Sequence, residues 1–251
     1  TGAKLDDPLC VPPLIEMARN GTLENRFGAI ELLGAMGRNP AIDLGLRPLL
    51  DDPEVDIRLK AYEALEKRRD PTLLVRSLDD KFDVVLVPSR SPMVYVQQSG
   101  RPKIVLFGED LEIDRPTTVM AWGNRFMLKG EPDEPKIEVF YRPRDDGPPM
   151  IDRVNPLVSD FVAYLGHRPS PESPEAGLGM SYSETIGALH EIWKAGYLGR
   201  TDFKAEQDRV LAAIIRRERE QGDFDRPEFD DEEDSSAAVP ALTRSRESDL
   251  G

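Results

Sequence analysis

Cysteine, histidine and long apolar runs are all scarce in this sequence of 251 residues. The single cysteine, Cys10, excludes an internal disulfide framework and a cysteine-based zinc cluster. The two histidines, His167 and His190, are too far apart for an HxxxH or HExxH zinc motif. No run of about 18 apolar residues occurs, so no membrane-inserting helix is predicted. The chain is therefore expected to depend on packing for its stability.

Catalytic and cofactor-binding motifs are missing as well. We find no GxSxG, GxGxxG or P-loop pattern, and no nucleophile is placed to face His190. His190 is interpreted as a polar helical residue rather than a general base. The alternating Asp110, Glu112 and Asp114 are interpreted as a solvated strand face rather than a calcium site, because the bent glycine loop of such sites is missing. The sequence predicts no catalytic, cofactor-binding or metal residue.

Basic residues are in the minority, with 33 lysines and arginines against 47 acids and a net charge of −14. This charge argues against a nucleic-acid partner, because phosphates would be repelled. Half of the excess lies in residues 223–251, which hold ten acids and three arginines. That segment has no periodicity and is predicted to be a disordered acidic tail. An interaction tail is the less favoured alternative to a solubilising end.

An internal repeat dominates the first part of the chain. Residues 25–37, NRFGAIELLGAMG, align thirty-two positions later with residues 57–69, IRLKAYEALEKRR. Apolar residues keep helical spacing, and the small Ala29 and Ala61 allow neighbouring helices to approach closely. Because another apolar segment precedes each copy, residues 1–78 are predicted to form helical hairpins that resemble HEAT repeats. Two copies are fewer than a stable solenoid needs, so further repeats are expected before Thr1.

Two arginines occupy the same position in the two copies of the repeat. Arg26 and Arg58 are candidate partner-binding residues. The favoured interpretation is structural, since an arginine at this position of such repeats usually pairs with an acidic residue of a neighbouring turn.

From residue 79 the apolar period changes to two. The runs VVLVP, MVYVQQ, KIVLF, LEID, TTVMAW, RFMLKG and KIEVFYR alternate with turn residues, with hairpins expected at 108–110 and 122–125. Residues 79–150 are thus predicted to form an antiparallel meander that either closes as a small barrel or packs under helices. KIVLF is apolar on both faces and should be a central, doubly covered strand. Trp122 is a candidate stacking residue, although cross-strand packing is favoured.

Helical patterns return over residues 151–222. Helices are expected to open at Asn155 and Pro156, at Ser181 or Ser183, and at Thr201. They should pack on the β domain, which makes the predicted fold class α+β.

Three stretches in order, MVYVQQSGRPKIVLFG, GNRFMLKG and KAGYL, resemble a bacterial family of flagellar basal body P-ring-like proteins. The resemblance extends over roughly residues 50–205, and the insertion HRPSPESPEAGLGMSYS and the acidic tail depart from it. It implies an accessory C-terminal part of a structural, non-catalytic protein of the periplasm or cell envelope. The implied partners are flagellar or other envelope proteins, with self-association as a further expectation. The alternative is a small-ligand-binding accessory domain that uses the sheet and Trp122.

Overall fold

Helices occupy the first quarter of the chain in the computed structural model, which describes residues 6–143 and 147–208. They are α1 (Val11–Asn20), α2 (Leu23–Ala35), α3 (Pro40–Leu46) and α4 (Val55–Arg68), with short 3₁₀ turns at Pro8–Cys10 and Arg47–Asp51. Thr22 caps α2 by accepting a hydrogen bond from the backbone N–H of Asn25. The predicted helices are confirmed up to Arg68, whereas residues 74–78, assigned to the helical hairpins, form a strand; the assignment as HEAT-like repeats stays a prediction.

The first sheet is mixed, not antiparallel. Its strands are β1 (Leu74–Leu78), β2 (Phe82–Val87), β3 (Met93–Gln97), β4 (Lys103–Phe107) and β9 (Asp202–Ala205), in the order β1-β2-β4-β3-β9. β2 pairs with β4, and β3 with β9, in parallel. The prediction of a purely antiparallel meander is therefore wrong here, because β4 inserts between β2 and β3. The helix predicted to open at Thr201 is also wrong over residues 202–205, which form the edge strand.

The second sheet is an antiparallel meander, as the sequence predicts for its first three strands, whereas its fourth strand lies at residues 150–154, at the start of the segment predicted to be helical. It contains β5 (Thr117–Ala121), β6 (Phe126–Gly130), β7 (Ile137–Tyr141) and β8 (Met150–Val154), in chain order. The hairpin between β5 and β6 is confirmed, with positive φ at Trp122, Gly123 and Asn124. No barrel forms from the described strands, since each sheet stays open and the chain divides its strands between them.

Two features of the connection between the sheets differ from prediction. LEID is not a strand, because only Glu112 bridges Leu157. The turn around Gly108 leads from the first sheet to the second and is not a hairpin turn. The three acidic residues 110, 112 and 114 therefore do not share a regular strand face.

Two hydrophobic cores lie on opposite faces of the first sheet. Ile104 and Leu106 of β4 face the inner side of the second sheet with α5 (Val158–Gly166) and α6 (Tyr182–Lys194). Val105 and Phe107 face the core that α1 to α4 provide. Because all four side chains are buried, the prediction that KIVLF is a central strand covered on both sides is confirmed.

α5 and α6 begin at different kinds of caps. Ser181 opens α6 with a capping box to Glu184, as the sequence predicts. α5 begins only after Leu157, two residues later than predicted; the Asn155 side chain accepts a hydrogen bond from the Leu157 backbone N–H at 3.4 Å and donates one to Asp160 at 2.8 Å. Residues 206–208 of the last predicted helix are helical, and the part of that helix beyond residue 208 and the predicted acidic tail lie outside the described residues.

Candidate functional site

The outer face of the second sheet carries an unbroken row of apolar side chains. Met120 of β5 pairs with Met127 of β6, Met127 with Phe140 of β7, and Phe140 with Ile151 of β8. These four residues, here named the apolar row, come from four adjacent strands. With about 4.8 Å between strands, the row is roughly 14 Å long.

The apolar row is open to solvent. Met120 is 55% exposed and Ile151 is 63% exposed, while Met127 and Phe140 between them are half-buried. In β5, β6 and β7 the neighbouring residues along the strand point inward and are buried, as alternation requires, whereas those in β8 are half-buried. A sheet with one covered face normally turns polar side chains to water. A contiguous apolar patch in that position is typical of a binding surface.

One side of the apolar row is bordered by charges that pair with one another. Lys129, Glu138 and Arg153 form the next row across the sheet. Arg153 lies 3.9 Å from Glu138, and the Lys129 ammonium lies 2.7 Å from Glu131. The hydrogen bond to Glu131 raises the pKa of Lys129. This border is polar but largely self-neutralised.

The other side is bordered by two arginines. The backbone N–H of Arg142 donates to the Arg125 carbonyl oxygen at 2.7 Å, and the Arg125 guanidinium donates back to the Arg142 carbonyl oxygen at 3.2 and 3.3 Å. Among the described residues, neither guanidinium has a carboxylate partner within salt-bridge distance. The apolar row therefore has a cationic border, although the whole chain is strongly acidic.

The edge strand of this surface, β8, is hydrogen-bonded to α5 on the inner side of the sheet. The Tyr164 hydroxyl of α5 donates to the Asp152 carboxylate of β8 at 2.8 Å. Burial, together with the adjacent carboxylate, raises the pKa of Tyr164, so the donor stays protonated. Asp152 and Ile151 are neighbours that point to opposite faces. The bond thus fixes the orientation of Ile151 at the end of the apolar row.

The two candidate arginines lie away from this surface and are engaged internally. The Arg26 guanidinium pairs with Asp52 and also donates to the Ala18 carbonyl at 2.9 Å, which matches the favoured structural interpretation. The Arg58 guanidinium donates to Asp202 at 2.7 Å and to the Ser91 carbonyl at 3.0 Å. Its side chain is 5% exposed, and its acidic partner belongs to β9 rather than to a neighbouring turn.

Trp122 lies in the β5–β6 turn and is half-buried. Its ring centroid lies 5.4 Å from that of Phe126, the next residue of the hairpin to face inward. A Cβ added to Gly187 of α6 would lie 3.3 Å from the indole, so this glycine leaves room for the ring. The structure thus places Trp122 in packing contact within the protein and outside the apolar row.

One side-chain group has the composition of a hydrolytic triad but a different geometry. His167 Nδ1 lies 3.5 Å from Asp79, and its Nε2 lies 3.5 Å from the Ser173 hydroxyl but only 3.1 Å from the Ser173 carbonyl oxygen. The imidazole is buried. The shorter contact lies within the loop after α5, whereas the 3.5 Å contact with Asp79 links that loop to the β1–β2 turn, a structural role that the sequence did not reveal.

Within residues 6–143 and 147–208, no three His, Cys, Asp or Glu side chains converge as a metal site. None of the helices in that part of the chain has the length and apolar character that spanning a bilayer requires. Comparison of the chain with protein families, curated proteins and solved structures finds nothing similar.

Proposed function

We propose that this chain is a non-catalytic protein-interaction module that docks a partner protein on the apolar row. The observation that carries the proposal is the four-strand register that aligns Met120, Met127, Phe140 and Ile151 on a solvent-facing sheet. Two of these side chains are more than half exposed, although β5, β6 and β7 bury their alternate residues. Covering the row would remove apolar surface from water, which is the main driving force of association.

The borders of the apolar row indicate the chemistry of the partner. Arg125 and Arg142 favour a segment whose apolar residues are flanked by aspartate or glutamate. A second copy is the less suitable occupant. When two copies pair face to face about a two-fold axis parallel to the strands, Arg125 is brought opposite Arg142 of the second copy, and like charges oppose association. When the axis is parallel to the apolar row, the two arginines face the largely neutral border of the second copy and gain little charge complementarity.

The proposed setting is an assembly of the bacterial cell envelope. The resemblance to flagellar P-ring-like proteins motivates it, and the motif GNRFMLKG contributes both Arg125 and Met127 to the proposed surface. One of the three stretches that carry the resemblance therefore also supplies a cationic and an apolar residue to the proposed surface. The ring-forming activity of that family is not assigned to any residue of this chain.

The test compares two substitutions at matched positions. Ile151→Glu places a charge at the end of the apolar row, and Val75→Glu does the same at an unrelated site. Both residues lie on edge strands and are exposed to a similar degree, 63% and 60%. The full chain and both variants serve as bait in an envelope extract, and captured proteins are identified by mass spectrometry and purified for affinity measurement.

The expected result is a partner captured by the wild type and by Val75→Glu but lost with Ile151→Glu. Loss of one buried isoleucine contact weakens Kd by about 10- to 100-fold. A partner retained equally by all three baits would contradict the proposed surface. Flagellar rod or ring proteins among the captured partners would support the proposed setting. If light scattering shows that the molecular mass of the wild type rises with protein concentration while that of Ile151→Glu does not, the occupant of the apolar row is a second copy of the chain.

A further inference from the structure

A cavity of about 420 Å³ lies at the β9 edge of the first sheet, far along the chain from the apolar row. Its apolar wall comes from Val96, Ile186, Trp193, Phe203 and Ala205. The volume falls within the range of roughly 300–1,000 Å³ that is usual for small-ligand sites. The cavity is thus large enough for a compact organic molecule.

Three aromatic rings converge at this cavity. The ring centroids of His190, Trp193 and Phe203 lie 5.4 to 5.6 Å from one another. The Trp193 indole N–H donates to the Thr201 carbonyl oxygen at 2.7 Å, which fixes the ring relative to the start of β9. Because the indole is anchored and only half-buried, its remaining surface is available to a ligand.

The charged lining of the cavity is acidic. Glu206 and Asp208 contribute carboxylates beside the amides of Gln98 and Gln207, and among the described residues no lysine or arginine lines the cavity. One oxygen of Glu206 accepts hydrogen bonds from the backbone N–H groups of Gln98 and Ser99, at 2.9 and 2.8 Å, so this carboxylate has a fixed position. Aromatic faces beside carboxylates attract cations and disfavour anions.

We propose that this cavity binds a small organic cation, an amine carried on an aromatic or aliphatic body. The body packs against Trp193 and Phe203, while the ammonium group lies toward Glu206 and Asp208. This inference is independent of the protein-docking function, because none of these residues belongs to the apolar row or its borders.

The test uses two probes of nearly equal shape and opposite charge, phenethylamine and phenylacetate. The chain has two tryptophans, so the full-length variant Trp122→Phe leaves Trp193 as the only source of tryptophan fluorescence. We expect saturable change of that fluorescence with phenethylamine, with Kd on the order of 1 mM for a fragment of this size. Phenylacetate should give no saturable change.

Three further variants locate the response. Ala205→Leu, which fills the cavity, should abolish it, and circular dichroism checks that the variant is folded. Asp208→Asn should raise Kd by about two- to fivefold, the effect of one exposed charge pair. Glu172→Gln removes an exposed carboxylate outside the lining and should leave Kd unchanged. Equal responses to the two probes, or an undiminished response in folded Ala205→Leu, would overturn the proposal.

Discussion

The close contact between α2 and α4 allows a quantitative prediction about the core that α1 to α4 provide. A Cβ added to Gly34 would lie 2.9 Å from the Cβ and 3.2 Å from the Cα of Ala64. Non-bonded carbon atoms prefer a separation of about 3.5–4.0 Å. Gly34→Ala therefore requires the two helices to separate by roughly 0.6–1 Å, and both positions lie in a buried region.

The relative magnitudes of two opposing effects decide whether Gly34→Ala raises or lowers the free energy of unfolding. Alanine is favoured over glycine in a helix by up to ~1 kcal/mol, and overpacking costs ~1–3 kcal/mol, so Gly34→Ala should lower the free energy of unfolding by ~1–2 kcal/mol. Ala64→Gly alone should cost ~2 kcal/mol through lost helix propensity and one buried methyl group. In the double variant the methyl group moves from α4 to α2, and stability should return to within ~1 kcal/mol of wild type.

Urea unfolding followed by circular dichroism measures all four members of this double-mutant cycle. The control is Gly28→Ala, also in α2, because a Cβ there meets nothing within 4 Å. It should stabilise the chain by ~0.5–1 kcal/mol through helix propensity alone. If the effects of Gly34→Ala and Ala64→Gly add to within about 0.5 kcal/mol, the two residues do not touch and the packing described for α2 and α4 is wrong.

Two further predictions concern single polar contacts. Burial alone would raise the pKa of Asp70, but hydrogen bonds from Thr72 and Arg47 lower it overall. A carboxyl group with a lowered folded-state pKa contributes stability above its unfolded pKa of about 4 and loses it as pH falls. Asp70→Asn should therefore cost ~2–3 kcal/mol at neutral pH and flatten acid unfolding curves. Ser181→Ala removes the α6 cap and should cost ~1 kcal/mol in urea unfolding, with Ser181→Thr largely neutral.

Local patterns in the sequence predict those elements whose signals are themselves local. Alternation and turn residues locate β5 to β7, and the continuous apolar run of β4 identifies a strand covered on both faces. β9 is different, because DFKA follows a threonine that resembles a helix cap, and its strand conformation depends on parallel pairing with β3. Four of the five β1 residues are exposed, so β1 lacks the alternation that marks a half-buried strand. Both segments become strands because they pair with segments distant in sequence, and a short window of sequence does not contain that information.

The apolar row could not be predicted for a related reason. Each strand of the second sheet contributes only one outward apolar side chain, and a single exposed apolar residue is common on protein surfaces. The surface arises from register alone, since a slip of two residues between β6 and β7 would place Met127 beside Glu138 or Arg142 instead of Phe140. Arg26 and Arg58 were conspicuous because they repeat along the chain, yet both are engaged in internal bonds. Repetition along the chain reports a shared structural role, whereas a binding surface on a sheet is assembled across strands and becomes visible only when their pairing is known.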